Sequence, residues 1–185
     1  DAEGTIRVSC GIEPDAAAGY SLAEEPAVAL LPDGRLWMNL RTVTGRIWYT
    51  VSADDGHTWR PPEVLRYRDG GDEVLHPKSP DPIYRLADGR YLLLFHNRDG
   101  HDQGDAGPWD MEARRPLWLA VGAFRPGAHQ PLWFSAPKLL MDTQRVKAGV
   151  TGLTWLAMYS SLTERDGERV LWYADRKQFV LGKRI

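Results

Sequence analysis

A tight-turn signal occurs three times along this chain, each time between two short apolar segments. Asp-Gly lies at the centre of AVALLPDGRLWMNL, PIYRLADGRYLLLF and TERDGERVLWYA, at positions 33–34, 88–89 and 166–167. Asp and Gly both tolerate positive φ, so Asp-Gly between alternating apolar residues is a strong signal for a β-hairpin. Each copy therefore predicts a pair of antiparallel strands.

Each of the first two hairpins is followed by further strand-like segments, which extends the repeating unit to four strands. GRIWYTVSADDGHTW and WRPPEVL follow the first copy, and RRPLWLAVGAFRPGAHQPLWF and WFSAPKLL follow the second, so that Ser52 aligns with Gly122. Sustained helical periodicity is absent from the sequence. Units of four strands in series are typical of propeller blades. The sequence therefore predicts an all-β propeller with about three blades in this chain.

The composition bears on the class of partner. The chain has 23 basic and 25 acidic residues, a net charge of -2, and therefore no excess of basic side chains for nucleic acid. No apolar run approaches the roughly 20 residues of a membrane-spanning helix. The first residues, DAEGTIRVSC, show no export signal, and the single Cys10 cannot form an internal disulfide. We expect neither nucleic acid nor membrane as a partner, and the cellular location stays unknown.

The stretch SADDGHTW, residues 52–59, combines acidic, hydroxyl and aromatic side chains in the pattern S-x-D-x-G-x-T-W. Ser52 and Asp54 can hydrogen-bond neighbouring backbone amides, and Gly56 can adopt the left-handed conformation. Thr58 suits a departing strand, and the Trp59 ring can fold over the turn. We interpret the stretch as a structural turn because each residue has a local task. It resembles the Asp-box of sialidases and related propellers.

From about Glu24 onward the chain resembles the later half of the catalytic propeller of the sialidase (neuraminidase) superfamily. The resemblance implies a sialidase-like, six-bladed β-propeller of which residues 1–185 form the C-terminal part. The family's first arginine and its Asp acid/base have no counterpart here, and a complete propeller needs roughly twice this length. Open blade edges promote aggregation. We therefore expect either missing N-terminal blades or self-association to close the ring.

The resemblance also implies a set of site residues. In EEPAVALLPDGRLWMNLR, Glu25 matches the acidic partner of the nucleophile, and Arg41 matches one of the arginines that bind the substrate carboxylate. In LAMYSSLTERDGERVLWY, Tyr159 matches the nucleophile. In RRPLWLAVG, Arg114 matches a further arginine, eight positions before the residue equivalent to the Asp-box serine. The adjacent Arg115 stays an alternative, although it would project to the other side of the strand.

These residue types suit an acidic sugar whose carboxylate lies beside the anomeric carbon. A neutral tyrosine avoids the charge repulsion that a carboxylate nucleophile would meet, provided that a base takes its proton. Arginine forks bind a carboxylate with two parallel hydrogen bonds. The resemblance thus implies a retaining exo-glycosidase for sialic acid or a related acidic sugar at a glycan end, with neither cofactor nor metal. A non-catalytic carbohydrate-binding propeller, and a hydrolase or lyase for a different acidic sugar, stay open as alternatives.

The polar segment NRDGHDQGDAGPWDMEARR separates two predicted strands. Four aspartates are candidate calcium ligands: Asp99, Asp102, Asp105 and Asp110. Their spacing does not match an EF-hand loop, so we instead expect the loop to overhang the central cleft, with His101 and Trp109 available to a sugar. The segment HPKSPDPIY is interpreted as a Pro-restricted entry to an inner strand, with a structural role.

Overall fold

A computed structural model of the chain describes residues 23–100 and 111–185. Within these residues, twelve strands form three antiparallel sheets. The first sheet contains β1 (Glu24–Leu30), β2 (Leu36–Arg41), β3 (Trp48–Ser52) and β4 (Glu63–Val64). The second contains β5 (Ile83–Arg85), β6 (Tyr91–Phe95), β7 (Leu117–Phe124), β8 (Leu132–Phe134) and β9 (Lys138–Met141), with a short 3₁₀ helix, Met111–Ala113, before β7. The third contains β10 (Leu156–Arg165), β11 (Glu168–Asp175) and β12 (Phe179–Arg184).

Each sheet begins with one of the predicted hairpins and adds its later strands in chain order. The strand orders are β1-β2-β3-β4, β5-β6-β7-β8 with β9 also paired to β7, and β10-β11-β12. Gly34, Gly89 and Gly167 have φ values of 87°, 83° and 80°, which an L side chain rarely adopts. The predicted all-β fold of successive propeller blades is confirmed. No helix in the described part of the chain is long and apolar enough to cross a membrane.

Two apolar clusters join neighbouring blades. The larger one combines the first and second sheets and includes Trp37 and Tyr49, whose rings stack with centroids 4.3 Å apart. The smaller one combines the second and third sheets through residues such as Leu117, Leu156 and Leu171. Complete burial of each large apolar side chain contributes about 1.5–3 kcal/mol. Packing between the blades therefore fixes the position of one inner strand relative to the next.

The Asp-box forms the local hydrogen bonds that the sequence predicts. Ser52 Oγ accepts the Gly56 amide at 2.9 Å and donates to Asp54 Oδ1 at 2.8 Å. Asp54 accepts the Thr58 hydroxyl at 2.6 Å and the Thr58 amide at 2.8 Å. These hydrogen bonds lower the pKa of Asp54 to about 2. Trp59 Nε1 donates to the Gly56 carbonyl at 3.1 Å, which holds the ring over the turn.

The equivalent turn of the second blade has no room for the same motif. Gly122 pairs with Tyr91 at the start of β6, as Ser52 pairs with Leu36 at the start of β2. A Cβ atom on Gly122 would lie 2.8 Å from the Phe134 ring and 3.1 Å from the Tyr91 Cβ. A serine at this position would therefore require the Phe134 ring to shift, and the turn keeps its place in the blade without Asp-box hydrogen bonds.

Candidate functional site

Two β-bulges, one on each of two inner strands, interrupt the regular strand pairing at Glu25 and Tyr159. On β1, the pairing advances from Glu24 to Ala27 while β2 advances only from Arg41 to Asn39. Glu25 and Pro26 lie opposite the single residue Leu40, and Glu25 has a φ of 45° that is unusual for a residue with a side chain. Bulges re-aim side chains and are frequent beside functional sites.

The bulge on β10 is larger. Pairing advances by four residues there, from Ala157 to Ser161, while β11 advances by two, from Ala174 to Trp172. Tyr159 lies inside this irregular segment, and its side chain is 51% exposed. The two bulges therefore place an acid on the inner strand of the first sheet and a phenol on the inner strand of the third, both outside the ordinary alternation of the sheets.

The two side chains are in direct contact. Tyr159 Oη donates a hydrogen bond to Glu25 Oε1 at 3.0 Å, across 134 positions of sequence. Arg41 Nη1 donates to the other carboxylate oxygen of Glu25. Partial burial opposes ionisation of Glu25, but the hydrogen bonds from Arg41 and Tyr159 outweigh it and lower the pKa of Glu25. One carboxylate is thus shared between a cation and a phenol.

Arg114 lies beside this group and completes what we call the Glu25–Tyr159 site, namely Glu25, Arg41, Arg114 and Tyr159. Its side chain is buried, and its guanidinium carbon lies 5.5 Å from the centroid of the Trp155 ring. Burial and the charge of Arg41 lower the pKa of Arg114, while Tyr159 and Glu25 act in the opposite direction. Among the described residues, Arg114 Nε has no hydrogen-bond partner.

Arg115, the alternative to Arg114, points to a different environment. Its Nη2 donates to Asp142 at 2.6 Å, and its Nε donates to Thr143 Oγ1 at 3.2 Å. The charge of Arg115 is therefore compensated by Asp142 outside the Glu25–Tyr159 site. Of the two candidates, only Arg114 lies with Glu25 and Tyr159.

Three buried groups, His76, His96 and Asp81, form the floor of the site beside the arginines. His76 and His96 stack with ring centroids 5.5 Å apart. Burial lowers the pKa of His76 to about 4 and holds the pKa of His96 well below its usual value. Asp81 is also fully buried, neither of its carboxyl oxygens has a hydrogen-bond partner in the described residues, and burial raises its pKa well above the usual value. Burial therefore disfavours the charged form of all three groups.

The ion pairs around the site, among the described residues, involve Arg41 and Lys78 but not Arg114. Glu24 Oε2 lies 3.3 Å from Lys78 Nζ and 3.8 Å from Arg41 Nε. Glu24 and Glu25 thus offset the charges of Arg41 and Lys78, and no described carboxylate forms an ion pair with Arg114. Glu25 and Tyr159 are about half exposed. The arrangement suits an anion that approaches from solvent.

The structure brings together four of the five residues that the sequence predicted, and it adds others. Trp155 and the floor histidine His76 follow no recognisable motif. The segment HPKSPDPIY, interpreted as structural, supplies His76 and Asp81 as the floor and Lys78 as the partner of Glu24. Only its position before an inner strand could have indicated this proximity to the site.

Part of the sequence interpretation lies outside the described residues. This holds for the expected sugar contacts of His101 and Trp109 and for the aspartates Asp102, Asp105 and Asp110. In the ranges 23–100 and 111–185, no group of three or more His, Cys, Asp and Glu side chains is arranged to hold a metal ion.

Comparison with known proteins gives a family. The BNR repeat-like domain matches residues 12–170. Similar solved structures are the intramolecular trans-sialidase of Ruminococcus gnavus (TM-score 0.55, 20% identity, 87% of this chain and 32% of that one) and the leech intramolecular trans-sialidase (0.54, 17%, 87% and 23%). A variant of the NanB sialidase of Streptococcus pneumoniae is similar too (0.54, 20%, 83% and 21%). This chain therefore spans a third or less of these proteins, and at such identities the likeness shows the fold alone.

No curated protein matches the chain. The match over most of its length shows that the chain belongs to the BNR repeat-like domain family.

Proposed function

We propose that this chain carries the nucleophile, its base and two carboxylate-binding arginines of a retaining exo-glycosidase that removes a terminal acidic sugar such as sialic acid. The observation that carries the proposal is the hydrogen bond from Tyr159 Oη to Glu25 Oε1, at 3.0 Å. A solvent-exposed phenol beside a carboxylate is arranged for proton transfer. Arg41 and Arg114 lie close enough to bias the site toward an anion.

In the proposed reaction, Glu25 accepts the phenol proton as the Tyr159 oxygen bonds to the anomeric carbon and the glycosidic C–O bond breaks. The leaving oxygen takes a proton from an acid that we assign to no residue of this chain. Water then attacks the anomeric carbon, gives one proton back to the same unassigned acid and breaks the bond to Tyr159, and the phenoxide recovers its own proton from Glu25. Two displacements at the same carbon retain the configuration of the sugar.

The contact between Arg41 and Glu25 gives the substrate a role in activating the base. With Arg41 bound, the pKa of Glu25 is lowered, which makes it a weaker proton acceptor. A substrate carboxylate competes with Glu25 for the same guanidinium, because both are planar anions that fit an arginine fork. Binding of the acidic sugar would therefore withdraw Arg41 from Glu25 and strengthen the base when substrate is present.

The same contact favours a second candidate, a carbohydrate-binding propeller without catalysis. If Arg41 never leaves Glu25, the base stays weak, and the site binds an anionic sugar without attacking it. Both functions require Arg41 and Arg114, but only the enzyme requires the hydroxyl of Tyr159. The two candidate functions therefore differ in their requirement for one atom, the hydroxyl oxygen of Tyr159.

The test uses the full-length protein and a fluorogenic sialoside, with Tyr159→Phe compared with wild type. We expect the substitution to lower kcat/KM by about a thousandfold or more, because it removes the attacking oxygen. Tyr49→Phe is the matched control, since Tyr49 lies in the core of the first blade and stacks on Trp37. It should leave kcat/KM within about threefold of wild type.

Three results would contradict the enzyme proposal. An active wild-type protein whose Tyr159→Phe variant keeps its activity would remove the nucleophile assignment. Equal losses in Tyr159→Phe and Tyr49→Phe would indicate damage to the fold rather than to the chemistry. Binding of sialic acid without hydrolysis, in wild type and Tyr159→Phe alike, would favour the binding module.

A further inference from the structure

A lysine that no motif singles out lies at the edge of the Glu25–Tyr159 site. Lys177 belongs to the tight turn between β11 and β12, which closes with a hydrogen bond from the Gln178 amide to the Asp175 carbonyl at 2.9 Å. Arg176 and Lys177 have φ values of 49° and 53°. Two successive residues with side chains in this region are unusual, since glycine and asparagine dominate such positions. Left-handed residues of this kind are concentrated at functional sites.

The backbone of the turn is fixed by side-chain contacts of its neighbours. Arg176 Nη1 donates to the buried Asp175 at 2.6 Å, and Arg176 Nε donates to the carbonyl of Val146 at 2.9 Å. The side chain of Lys177 takes no part in these contacts. These contacts hold the backbone of the turn, and none of them uses the ammonium group of Lys177.

The ammonium group of Lys177 lies over two aromatic rings of the site. It is 5.4 Å from the centroid of the Trp155 ring and 5.6 Å from the centroid of the Tyr159 ring. Arg114 lies over the same Trp155 ring. Cations within about 6 Å of an aromatic centroid are attracted by its electron density. Among the described residues, no carboxylate forms an ion pair with Lys177.

We propose that Lys177 contacts the substrate, and that its ammonium group binds the carboxylate of the acidic sugar together with Arg41 and Arg114. This inference rests on the proposed function of the Glu25–Tyr159 site. Two cations, Arg114 and Lys177, share the Trp155 ring, and neither is neutralised by a described carboxylate. Lys177 lies over the Tyr159 ring, and Arg114 interacts electrostatically with Tyr159, so both cations act at the position of the phenol. The four-carbon stem of lysine gives the ammonium group the reach to follow an anion that binds there.

The proposal predicts a charge-specific effect on binding. The probes are N-acetylneuraminic acid and its methyl ester, which lacks the negative charge, titrated into the full-length protein by NMR. Lys177→Asn should weaken binding of the acid about tenfold and leave binding of the ester unchanged, because one charged hydrogen bond is lost. Lys177→Arg keeps the charge and should bind the acid within about threefold of wild type.

Asparagine is the informative substitution because it tolerates the left-handed conformation better than lysine. The melting temperature of Lys177→Asn should therefore equal or exceed that of wild type, which separates a binding defect from unfolding. Lys183→Asn is the matched control. Lys183 lies at the opposite end of β12, at least about 13 Å along the strand from the turn at 3.3 Å per residue, and its loss should not change binding of either probe.

The outcomes distinguish this inference from the function on which it rests. Unchanged binding of the acid by Lys177→Asn, in a protein that hydrolyses the fluorogenic sialoside, overturns the role of Lys177 alone. Equal weakening of acid and ester overturns it as well, because it indicates a structural role. A wild-type protein that neither binds the acid nor hydrolyses the sialoside overturns both proposals together.

Discussion

Asp54 and Glu25 are two carboxylates in the first blade, and the fold uses them in opposite ways. The hydrogen-bond partners of Asp54 lie within four positions of it, at Ser52 and Thr58. Those of Glu25 lie 16 and 134 positions away, at Arg41 and Tyr159. The first carboxylate closes a turn, whereas the second connects separate blades. The same chemical group is therefore structural or available for chemistry according to the sequence distance of its partners.

The two carboxylates also differ in how freely they can change partners. Asp54 accepts three hydrogen bonds from the turn that it closes, and these lower its pKa to about 2. Glu25 is shared by two side chains that are themselves expected to bind substrate, and its own side chain is 40% exposed. Exchange of the partners of Asp54 would open the turn. Exchange of the partners of Glu25 is what the proposed reaction requires.

The largest expected effect is on kcat/KM, and it distinguishes Glu25 from Asp54. Glu25→Gln should lower kcat/KM of the full-length protein for a sialoside by about 10²–10⁴, because the amide cannot accept the phenol proton. Asp54→Asn makes the same change of atoms at the Asp-box and should leave kcat/KM within about threefold. The measurement is hydrolysis of the fluorogenic sialoside by the two variants at equal fractions folded. Similar losses of kcat/KM in both variants would contradict the assignment of Glu25 to the chemistry and of Asp54 to the turn.

An intermediate effect is expected on the free energy of unfolding, and it tests the structural role of the Asp-box turn. Ser52→Ala should lower the free energy of unfolding by about 1–3 kcal/mol, because the part-buried Gly56 amide loses its acceptor and Asp54 loses the hydroxyl that donates to it. Urea unfolding measures the change, and the remaining folded protein should keep its sugar affinity. A loss of affinity without a loss of stability would show that the Asp-box takes part in binding.

The second blade provides the converse experiment. Gly122→Ser places a serine at the position equivalent to Ser52, but its Cβ would lie 2.8 Å from the Phe134 ring. We expect the free energy of unfolding to fall by about 1–3 kcal/mol through overpacking. An increase in stability would show that Phe134 moves aside and that an Asp-box turn can be built there.

The smallest expected effect is a difference in acid sensitivity. The buried His76 has a pKa of about 4, below its usual 6.5, so the folded state binds fewer protons than the unfolded state between these values, and stability falls as the pH drops from 6.5 to 4. Asp54 contributes stability above pH 3.8, which is lost as the pH falls toward 2. Melting temperatures measured against pH should therefore decline in two steps, and Asp54→Asn should reduce only the second. A reduction of the first step by Asp54→Asn would contradict the assignment.

The sequence predicted what local physics determines. The Asp-Gly hairpins and the Asp-box hydrogen bonds depend on residues a few positions apart, so their patterns could be identified in the chain. Glu25, Arg41, Arg114 and Tyr159 were found through resemblance to a family, since no local pattern relates residues 134 positions apart. Neither the local patterns nor the resemblance identified Lys177 or the buried groups of the floor, His76, His96 and Asp81. Their positions follow from packing between blades, and such packing produces no fixed residue spacing that could be identified in the sequence.

The number of residues in each bulge determines which way an inner strand presents its side chains. Because a strand alternates sides at every residue, deleting one residue from the irregular part of β1 would return its pairing with β2 to a regular register and turn the acid toward another environment. The hairpin, its apolar neighbours and the blade could all survive such a deletion. Chain length at these two points, on an otherwise unchanged scaffold, therefore determines whether Glu25 and Tyr159 meet.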